Sequence, residues 1–407
     1  VQIGKAFRFR IYPTTEQAAT LDRWSDALRF LWNLAHEQRL MAYAHARCDR
    51  HYPSAFDQIN ELTGLRSEFP WLADVPRNVS SQLLMELDHA WQRCFKKLAR
   101  TPRWKRKGRD VVSFCEPHSK VWRIDADGLH FPKLGVLRII VHRPLEGMPK
   151  TCTIVRDGDQ CFASIVCVIE REAPAPRAEP VVALDRGIIN FVADSDGNIV
   201  ENPRNLRRAT RRLAHAQRVV SRRRKGSRNR EKAKLRVARI HRKVRRQRDD
   251  FVHRLSCHYA NSHGRVIVER LNIKGMVRNH CLARAILDAG WGRFVQFLRY
   301  KLAWSGGTLE EVWAAYSSQT CSVCGCVDSR SRVSQALFAC VHCGHRDHAD
   351  INAAKVQRLR GTAVEATVAA CRGLAEVRLP VKQERCIARC GQRTQGLGSK
   401  APAFRPG

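Results

Sequence analysis

The chain has 407 residues, 44% of them hydrophobic, enough for roughly two to four domains with buried cores, and this excludes wholesale disorder. Its 73 Lys and Arg against 38 Asp and Glu leave a formal charge of +35, so a polyanionic partner is expected, nucleic acid ahead of an anionic membrane surface. No apolar run approaches the roughly 18 residues of a spanning helix, and the opening "VQIGKAFRFRIYP" lacks the apolar stretch of a secretory signal, so an intracellular, cytoplasmic protein without a membrane partner is expected.

Phe7, Phe9 and Ile11 alternate with basic residues, the period of a half-buried strand, and Pro13 ends it. Thr14 and Gln17 fit a capping box, and Leu21, Trp24, Leu28, Leu31 and Ala35 recur behind it at helical spacing. A second helical stretch runs over 80–99, so residues 15 to about 100 read as a mainly helical insertion. Tyr43 and Trp71 are expected in its core and not as base-stacking platforms. The stretch "PRWKRKGR" then combines bases with an indole, which makes Arg103, Trp104, Lys105, Arg106 and Lys107 candidate nucleic-acid contacts, with a plain basic surface loop as the alternative. Short β-type segments such as "LRIIVH" and "CFASIVCVIE" follow to about Glu172 and read as a small barrel or sandwich that takes its first strand from residues 5–12. The Pro-rich "REAPAPRAEP" marks a boundary.

Beyond it "VVALD", "NFVAD" and "IV", the last two separated by the turn "SDGN", form a meander of strands. From Arg204 to Arg248 there are 21 Lys or Arg and one acid, Glu231, yet Leu206, Ala209, Leu213, Ala216 and Val220, then Ala233, Val237, Ile240, Val244 and Phe251, keep a helical period around the break "KGSRN". Two antiparallel helices with apolar seams and basic outer faces are expected; without a compensating salt-bridge pattern, those faces suit a phosphate backbone better than bare solvent. Arg211, Arg212, Arg222, Arg223, Arg224 and Lys225 are the named candidates. The strand "RVIVE" ends on Glu269, a helix spans about 291–304, and "TLEEVWAAY" reads as a further strand. The last forty or so residues lack periodicity and are expected to be a disordered tail.

Two constellations carry chemistry. Cys321, Cys324, Cys340 and Cys343 read C-x2-C-x15-C-x2-C, in which two knuckle turns bring four thiolates onto one Zn²⁺, with Gly325 and Gly344 helping the turns close. Four sulfurs leave no open position, so this zinc is expected to be structural; Cys326 reads as a free thiol, and His342, His345 and His348 as weaker substitutes for a ligand. The second constellation is Asp185 and Glu269, each closing an apolar strand, and Asp350, opening the helical "INAAKVQRL". Each alone has an ordinary explanation as a turn or cap residue. Together, in so basic a chain, they suggest a nuclease whose carboxylates, drawn from separate elements, hold a pair of divalent ions about 4 Å apart.

"VVALDRGIINFVADSDGNIVEN", "RVIVERLNIKGM" and "AYSSQTCSVCG" with "CVHCGHRDHADINAAK" resemble the three split RuvC motifs and the zinc ribbon of the TnpB family, transposon-encoded RNA-guided DNA nucleases related to type V CRISPR effectors; "KAFRFRIYPTTEQ" and "RFLWN" are also typical of it. The resemblance covers residues 5 to about 360. It implies that Asp185, Glu269 and Asp350 are the RuvC metal ligands, with Asp347 ranked below Asp350 because the family's Asp stands two residues before the Asn of D-x-N-A-A. The implied fold is α/β and multidomain. A wedge β-barrel (1–13 and 102–172) is interrupted by a helical recognition domain (14–101). After a linker (173–180) comes an RNase H-like RuvC domain (181–315, containing the basic hairpin 204–260, and 347–365) with an inserted zinc ribbon (316–346), then the tail (366–407). The implied activity is cleavage of double-stranded target DNA beside a short target-adjacent motif, by a monomer carrying a guide RNA derived from the transposon end. The implied cofactors are Mg²⁺, for which Mn²⁺ can substitute, and one structural Zn²⁺. A compact type V CRISPR effector and a nuclease-independent RNA-guided regulator are the alternatives, as is a zinc-ribbon DNA-binding protein without catalysis.

Overall fold

The computed structural model describes residues 1–44, 52–108 and 112–373. In chain order the elements are β1 (Gln2–Tyr12), α1 (Thr15–Ala44), α2 (Ala55–Glu68), α3 (Pro70–Ala73), α4 (Arg77–Phe95), β2 (Ser113–Glu116), β3 (Arg123–Ile124), β4 (Leu129–Phe131), β5 (Gly135–Ile140), β6 (Met148–Asp157) and β7 (Gln160–Glu170). They continue with β8 (Val181–Asp185), β9 (Asn190–Asp194), β10 (Ile199–Glu201), α5 (Asn205–Arg222), α6 (Arg228–Ser262), β11 (Arg265–Arg270), α7 (Ile273–Met276), α8 (His280–Ala289), α9 (Trp291–Ser305), β12 (Thr308–Trp313), β13 (Leu337–Ala339), β14 (Arg346–His348) and α10 (Ala349–Gly373). Two compact units result. One comprises residues 1–178, 203–264 and 273–308; the other comprises 179–202, 265–272 and the chain from 309. Helices α5 to α9 are thus grouped with the N-terminal residues, where the reading from sequence set them in one block over 181–315.

In the first unit a seven-stranded sheet has the order β2-β6-β7-β1-β5-β4-β3. β1 lies antiparallel between β7 and β5, and its alternating Phe7, Phe9 and Ile11 are fully or almost fully buried. The helical block α1–α4 is inserted between β1 and β2. Its entry is capped reciprocally: the Thr14 N–H donates to Gln17 Oε1 at 3.0 Å and the Gln17 N–H to Thr14 Oγ1 at 3.2 Å. The core of this block joins Trp24, Leu28, Leu31 and Trp91 to the sheet residues Phe114 and Ile154. Tyr43 and Trp71 do not belong to it. Tyr43 sits in the last turn of α1 with one side against Trp91 and Phe95 of α4, and Trp71 in the four-residue α3 with its ring edge-on to Phe30 of α1, yet the two residues are 60% and 43% exposed.

α5 and α6 pack as a hairpin, the start of α5 facing the later part of α6: Asn205, Ala209 and Arg212 line one cavity with Ile240, Val244 and Gln247. Ala209, Ala216, Ala233 and Val244 are buried in its seam. The outer face is not uniform. Arg239, Arg242 and Arg245 are paired with Asp159 and Asp157 of the β6–β7 turn, and Arg242, only 7% exposed, also donates to the Asp157 carbonyl at 2.6 Å.

The second unit is built on a five-stranded sheet ordered β10-β9-β8-β11-β12, with β9 antiparallel to β8 and to β10 and β11 parallel to β8. β8 and β11 are apolar on both faces because they lie inside this sheet: Val182, Ala183, Leu184, Val266, Ile267 and Val268 are wholly buried. α10 packs across β8, β9 and β11; a two-stranded hairpin, β13-β14, carries Cys340 and Cys343 in its turn, while Cys321 and Cys324 lie in the turn closed by the Thr320–Val327 bridge. α10 continues to Gly373, eight residues into the stretch expected to be a disordered tail, and residues 374–407 of that tail lie outside the described residues.

Candidate nuclease site

Asp185 and Glu269 are brought together by strand register. β8 and β11 run parallel with Leu184 opposite Val268, so the next residue of each strand is a carboxylate, placed side by side at the same end of the sheet. Asp350 joins them from the first turn of α10, whose Ala349, Ala353 and Ala354 are almost completely buried and let the helix lie close to the strands. Two turns further on, Gln357 donates Nε2 to Asp185 Oδ1 at 2.8 Å. Asn190 of β9 donates Nδ2 to Asp350 Oδ2 at 3.2 Å, and Arg332 Nη2 stands 3.5 Å from Asp350 Oδ1. The Arg186 N–H donates to Glu269 Oε1 at 3.3 Å while its buried guanidinium bonds the Glu269 carbonyl. Gln357, Asn190, Arg332 and Arg186 escape sequence reading; the one local signal is that Gln357 follows Asp350 by seven residues, on the same helix face.

Charge is concentrated here. Burial, then the charges of Glu269 and Asp350, raise the Asp185 carboxyl well above the ordinary carboxylate range, against the opposing Gln357 hydrogen bond and Arg332. Burial also raises Glu269, although Arg186 counters it. Three carboxylates at one sheet end, one of them holding its proton unusually tightly although Arg186 and Arg332 stand beside them, favour a cation, and their hard oxygens suit Mg²⁺ or Mn²⁺. Asp185 and Glu269 are close enough to hydrogen-bond to each other. Asp347, the competitor of Asp350, is on β14 and already engaged, with Lys355 Nζ at 2.7 Å and His345 Nε2 at 3.8 Å.

The four cysteines converge as their spacing implies. Cys321 and Cys343 sulfurs are 3.7 Å apart and those of Cys324 and Cys340 3.6 Å, against about 3.8 Å across a tetrahedron with Zn–S bonds of about 2.3 Å. Gly325 and Gly344 have φ of 72° and 74°, and their N–H groups donate to the Cys321 and Cys340 carbonyls at 3.0 Å, closing both knuckles. Backbone hydrogen bonds, that of Cys343 first, pull the Cys340 thiol down to about 6, while the neighbouring thiols raise Cys324 to about 12 and Cys343 above its ordinary value, so the four sulfurs share their protons unevenly. Cys326 packs against the small core of this module and is not one of the four. The module is fastened to α10 by Asn352, fully buried, whose Nδ2 donates to the Thr320 carbonyl at 2.8 Å and whose Oδ1 accepts the Ser322 N–H at 3.0 Å. The D-x-N-A-A run is thereby explained in full: the Asp faces the site, the Asn clasps the first knuckle, and the two Ala residues seat the helix.

The basic candidates divide. Arg211, Arg212, Arg222, Arg223, Arg224 and Lys225 are exposed. The 103–107 segment is held to α1 by its backbone, with the Trp32 Nε1–H on the Arg103 carbonyl at 3.1 Å and a two-way Asn33–Lys105 bond at 2.8 and 3.0 Å. Lys105 lies over the Trp32 ring and is partly buried, whereas Arg103, Trp104, Arg106 and Lys107 are exposed, Lys107 at 79% although it pairs with Asp26 at 2.7 Å.

Residues 164–280 match the OrfB_IS605 family, described as "Probable transposase", and residues 291–356 match "Cas12f1-like, TNB domain". A third family, "Helix-turn-helix domain", matches residues 3–48; the described part of that segment is β1 followed by one uninterrupted helix. A Streptomyces pristinaespiralis protein named "Putative RNA-guided DNA endonuclease" is 35% identical over 372 residues, 90% of this chain and 91% of the relative. Escherichia coli K12 has "Putative RNA-guided DNA endonuclease InsQ", 29% identical over 395 residues, 93% of this chain and 97% of that one. Among solved structures, a chain in "Cryo-EM structure of the Cas12f1-sgRNA-target DNA complex" superposes with a TM-score of 0.53 at 12% identity, covering 88% of this chain and 99% of its own, which is a likeness of fold.

Proposed function

Because this chain belongs to the TnpB family of transposon-encoded RNA-guided DNA endonucleases, we propose that it cuts guide-selected DNA at the Asp185–Glu269–Asp350 site with the help of Mg²⁺. The observation that carries the reading is the convergence of those three carboxylates at one end of β8, β11 and α10, with Asp185 pushed well above its ordinary range. Asp185, Glu269 and Asp350 would hold the divalent ions, which would supply Lewis acidity to the attacking water and to the leaving 3′ oxygen. The protein's own share is positioning. Gln357 fixes Asp185, Asn190 and Arg332 fix Asp350, and the Arg186 N–H fixes Glu269. The sheet order, with β11 parallel to β8 beside an antiparallel β8-β9-β10 meander, supports reading this unit as an RNase H-like domain, and the Cys module inserted before Asp350 is read as a structural zinc ribbon. The first unit's sheet and its helical insertion are read as the wedge and recognition domains.

Specificity in such an enzyme comes from guide pairing, and the protein grips the RNA and heteroduplex through their backbones. Exposed Arg211, Arg212 and the 222–225 run are assigned to that contact, and Arg103, Trp104 and Arg106 to RNA or the duplex beside the target. The test is single replacement of each acid. Asp185→Ala, Glu269→Ala and Asp350→Ala should each abolish cleavage while copurified RNA and target binding persist; undiminished cutting by these variants would remove the site.

A further inference from the structure

β12 ends in a four-residue strap, Trp313-Ala314-Ala315-Tyr316, that leads into the Cys module. Its two rings face solvent, Trp313 at 74% and Tyr316 at 67% exposure. A single exposed ring requires no explanation. Here the backbone beneath both rings is clamped: Arg360 of α10 donates Nη1 to the Trp313 carbonyl at 2.9 Å and to the Ala315 carbonyl at 2.8 Å. Tyr316 is held left-handed at φ 60°, a conformation disfavoured for an aromatic residue, and its carbonyl takes the N–H groups of Gln319 and Thr320 at 3.0 Å and the Thr320 hydroxyl at 2.7 Å. A strap rigidly fastened from behind with both rings outward is the arrangement of a stacking surface. The cation such a surface needs is present too. The exposed Arg270 guanidinium lies over the Trp313 ring, 5.9 Å from its centroid.

We propose that Trp313 and Tyr316, with Arg270, form a base-stacking platform for the unpaired DNA strand a few nucleotides from the carboxylate site. Proximity follows from the chain, because Arg270 directly follows Glu269 and their Cα atoms are about 3.8 Å apart. Successive strand residues face opposite sides of a sheet, so a strand stacked on Trp313 reaches the carboxylates by crossing the end of β11. DNA is the occupant because those acids receive the strand that is cut, and in this the platform rests on the endonuclease reading. Ring faces accept any base, so the platform grips without selecting sequence, and Arg270 is free to meet the adjoining phosphate.

The experiment uses the full-length protein with its copurified RNA and a fluorescent single-stranded DNA carrying one abasic position at a time. In EDTA, wild-type affinity should fall about 5- to 150-fold at one or two abasic positions, the range for loss of a stacked base. Trp313→Ala and Tyr316→Ala should weaken intact DNA by a comparable factor and erase the abasic effect, and Trp313→Phe should restore both. With Mg²⁺, KM for DNA should rise in Trp313→Ala while kcat stays near wild type. An abasic profile shared by wild type and both Ala variants overturns the platform, as does a loss confined to RNA binding. Failure of the endonuclease reading would appear separately, as a wild-type protein that binds in EDTA but never cuts in Mg²⁺.

Discussion

Gly361 offers the sharpest test of how the site is held together. It lies on α10 eleven residues past Asp350, and a Cβ added there would stand 2.5, 3.1 and 3.3 Å from Cδ1, Cγ1 and Cγ2 of Ile267. Ile267 is completely buried in β11 two residues before Glu269, and the Gly361 carbonyl accepts Arg265 Nη2 at 3.0 Å, so helix and strand are in direct contact at this point. Gly361→Ala should gain about 1 kcal/mol of helix propensity and lose about 1–3 kcal/mol to overpacking, leaving a net change between about zero and 2 kcal/mol of destabilisation. Activity should suffer more than stability. α10 carries both Asp350 and Gln357, and a misplacement of about 1 Å can cost about 100-fold, so a shift of a few tenths of an ångström predicts a loss of roughly 3- to 10-fold in cleavage rate. Ile267→Val deletes Cδ1, the closest clashing atom, at a cost of about 0.5–1.5 kcal/mol by itself. In the double variant it should recover part of both the rate and the melting temperature, the coupling expected of residues in contact. Thermal melts and single-turnover cleavage of all four proteins measure this. A Gly361→Ala protein as active as wild type, or a double variant no better than Gly361→Ala, would refute the packing argument.

Asp185→Asn carries a pH signature. The folded protein retains the Asp185 proton to higher pH than the unfolded chain, so without divalent ions wild-type stability falls as pH rises above about 4, through the raised folded value. In EDTA the Asn variant should therefore melt above wild type at neutral pH, the gap closing toward acid, and Mg²⁺ should reverse the order; parallel melting curves would contradict the assigned charge crowding. Asn352→Ala should lower the melting temperature and the cleavage rate while zinc content stays at one per chain, because its four sulfurs are untouched, whereas Cys340→Ser should lose the zinc itself; both are read by metal analysis beside thermal melts. Replacing Arg222, Arg223, Arg224 and Lys225 by Gln should reduce the salt slope of RNA binding by about 0.7 for each phosphate left without its cation. Arg242→Gln, by contrast, should lower stability and leave that slope alone, since its charge is engaged by Asp159, which Arg242 in turn holds down at about 2.

What the sequence discloses is whatever repeats locally. Alternation of period two marks β1, helical spacing marks α1 and the α5–α6 hairpin, and the Cys spacing marks the knuckles, because in each case the partners of a residue are fixed by its own backbone. The three acids are legible for a related reason: each terminates or opens an apolar element, where a charge needs a purpose. The groups that orient them are not. Gln357, Asn190 and Arg332 are ordinary surface residue types, and only the fold shows that they reach Asp185 and Asp350. The basic run misleads in the opposite direction. Read as a string, its arginines form one uncompensated face, yet Arg239, Arg242 and Arg245 meet acids some 80 to 90 positions upstream, at Asp157 and Asp159. Charge compensation across so large a separation has no period to betray it.

α10 explains why the zinc module and the carboxylates sit in one stretch of chain although their chemistry is separate. Successive residues of this helix take hold of different structures: Asp350 enters the site, Asn352 clasps the first knuckle, Lys355 pairs with Asp347 of the hairpin, Gln357 reaches Asp185, Arg360 fastens the aromatic strap and Gly361 rests on β11. A rigid rod with 1.5 Å rise per residue sets the spacing among all of them. A zinc ion held by the four cysteines would therefore not need to touch substrate to matter for cleavage. By holding Thr320 and Ser322 in place against Asn352, it would fix the first turn of α10, and with it the one acid of the three that does not come from a strand.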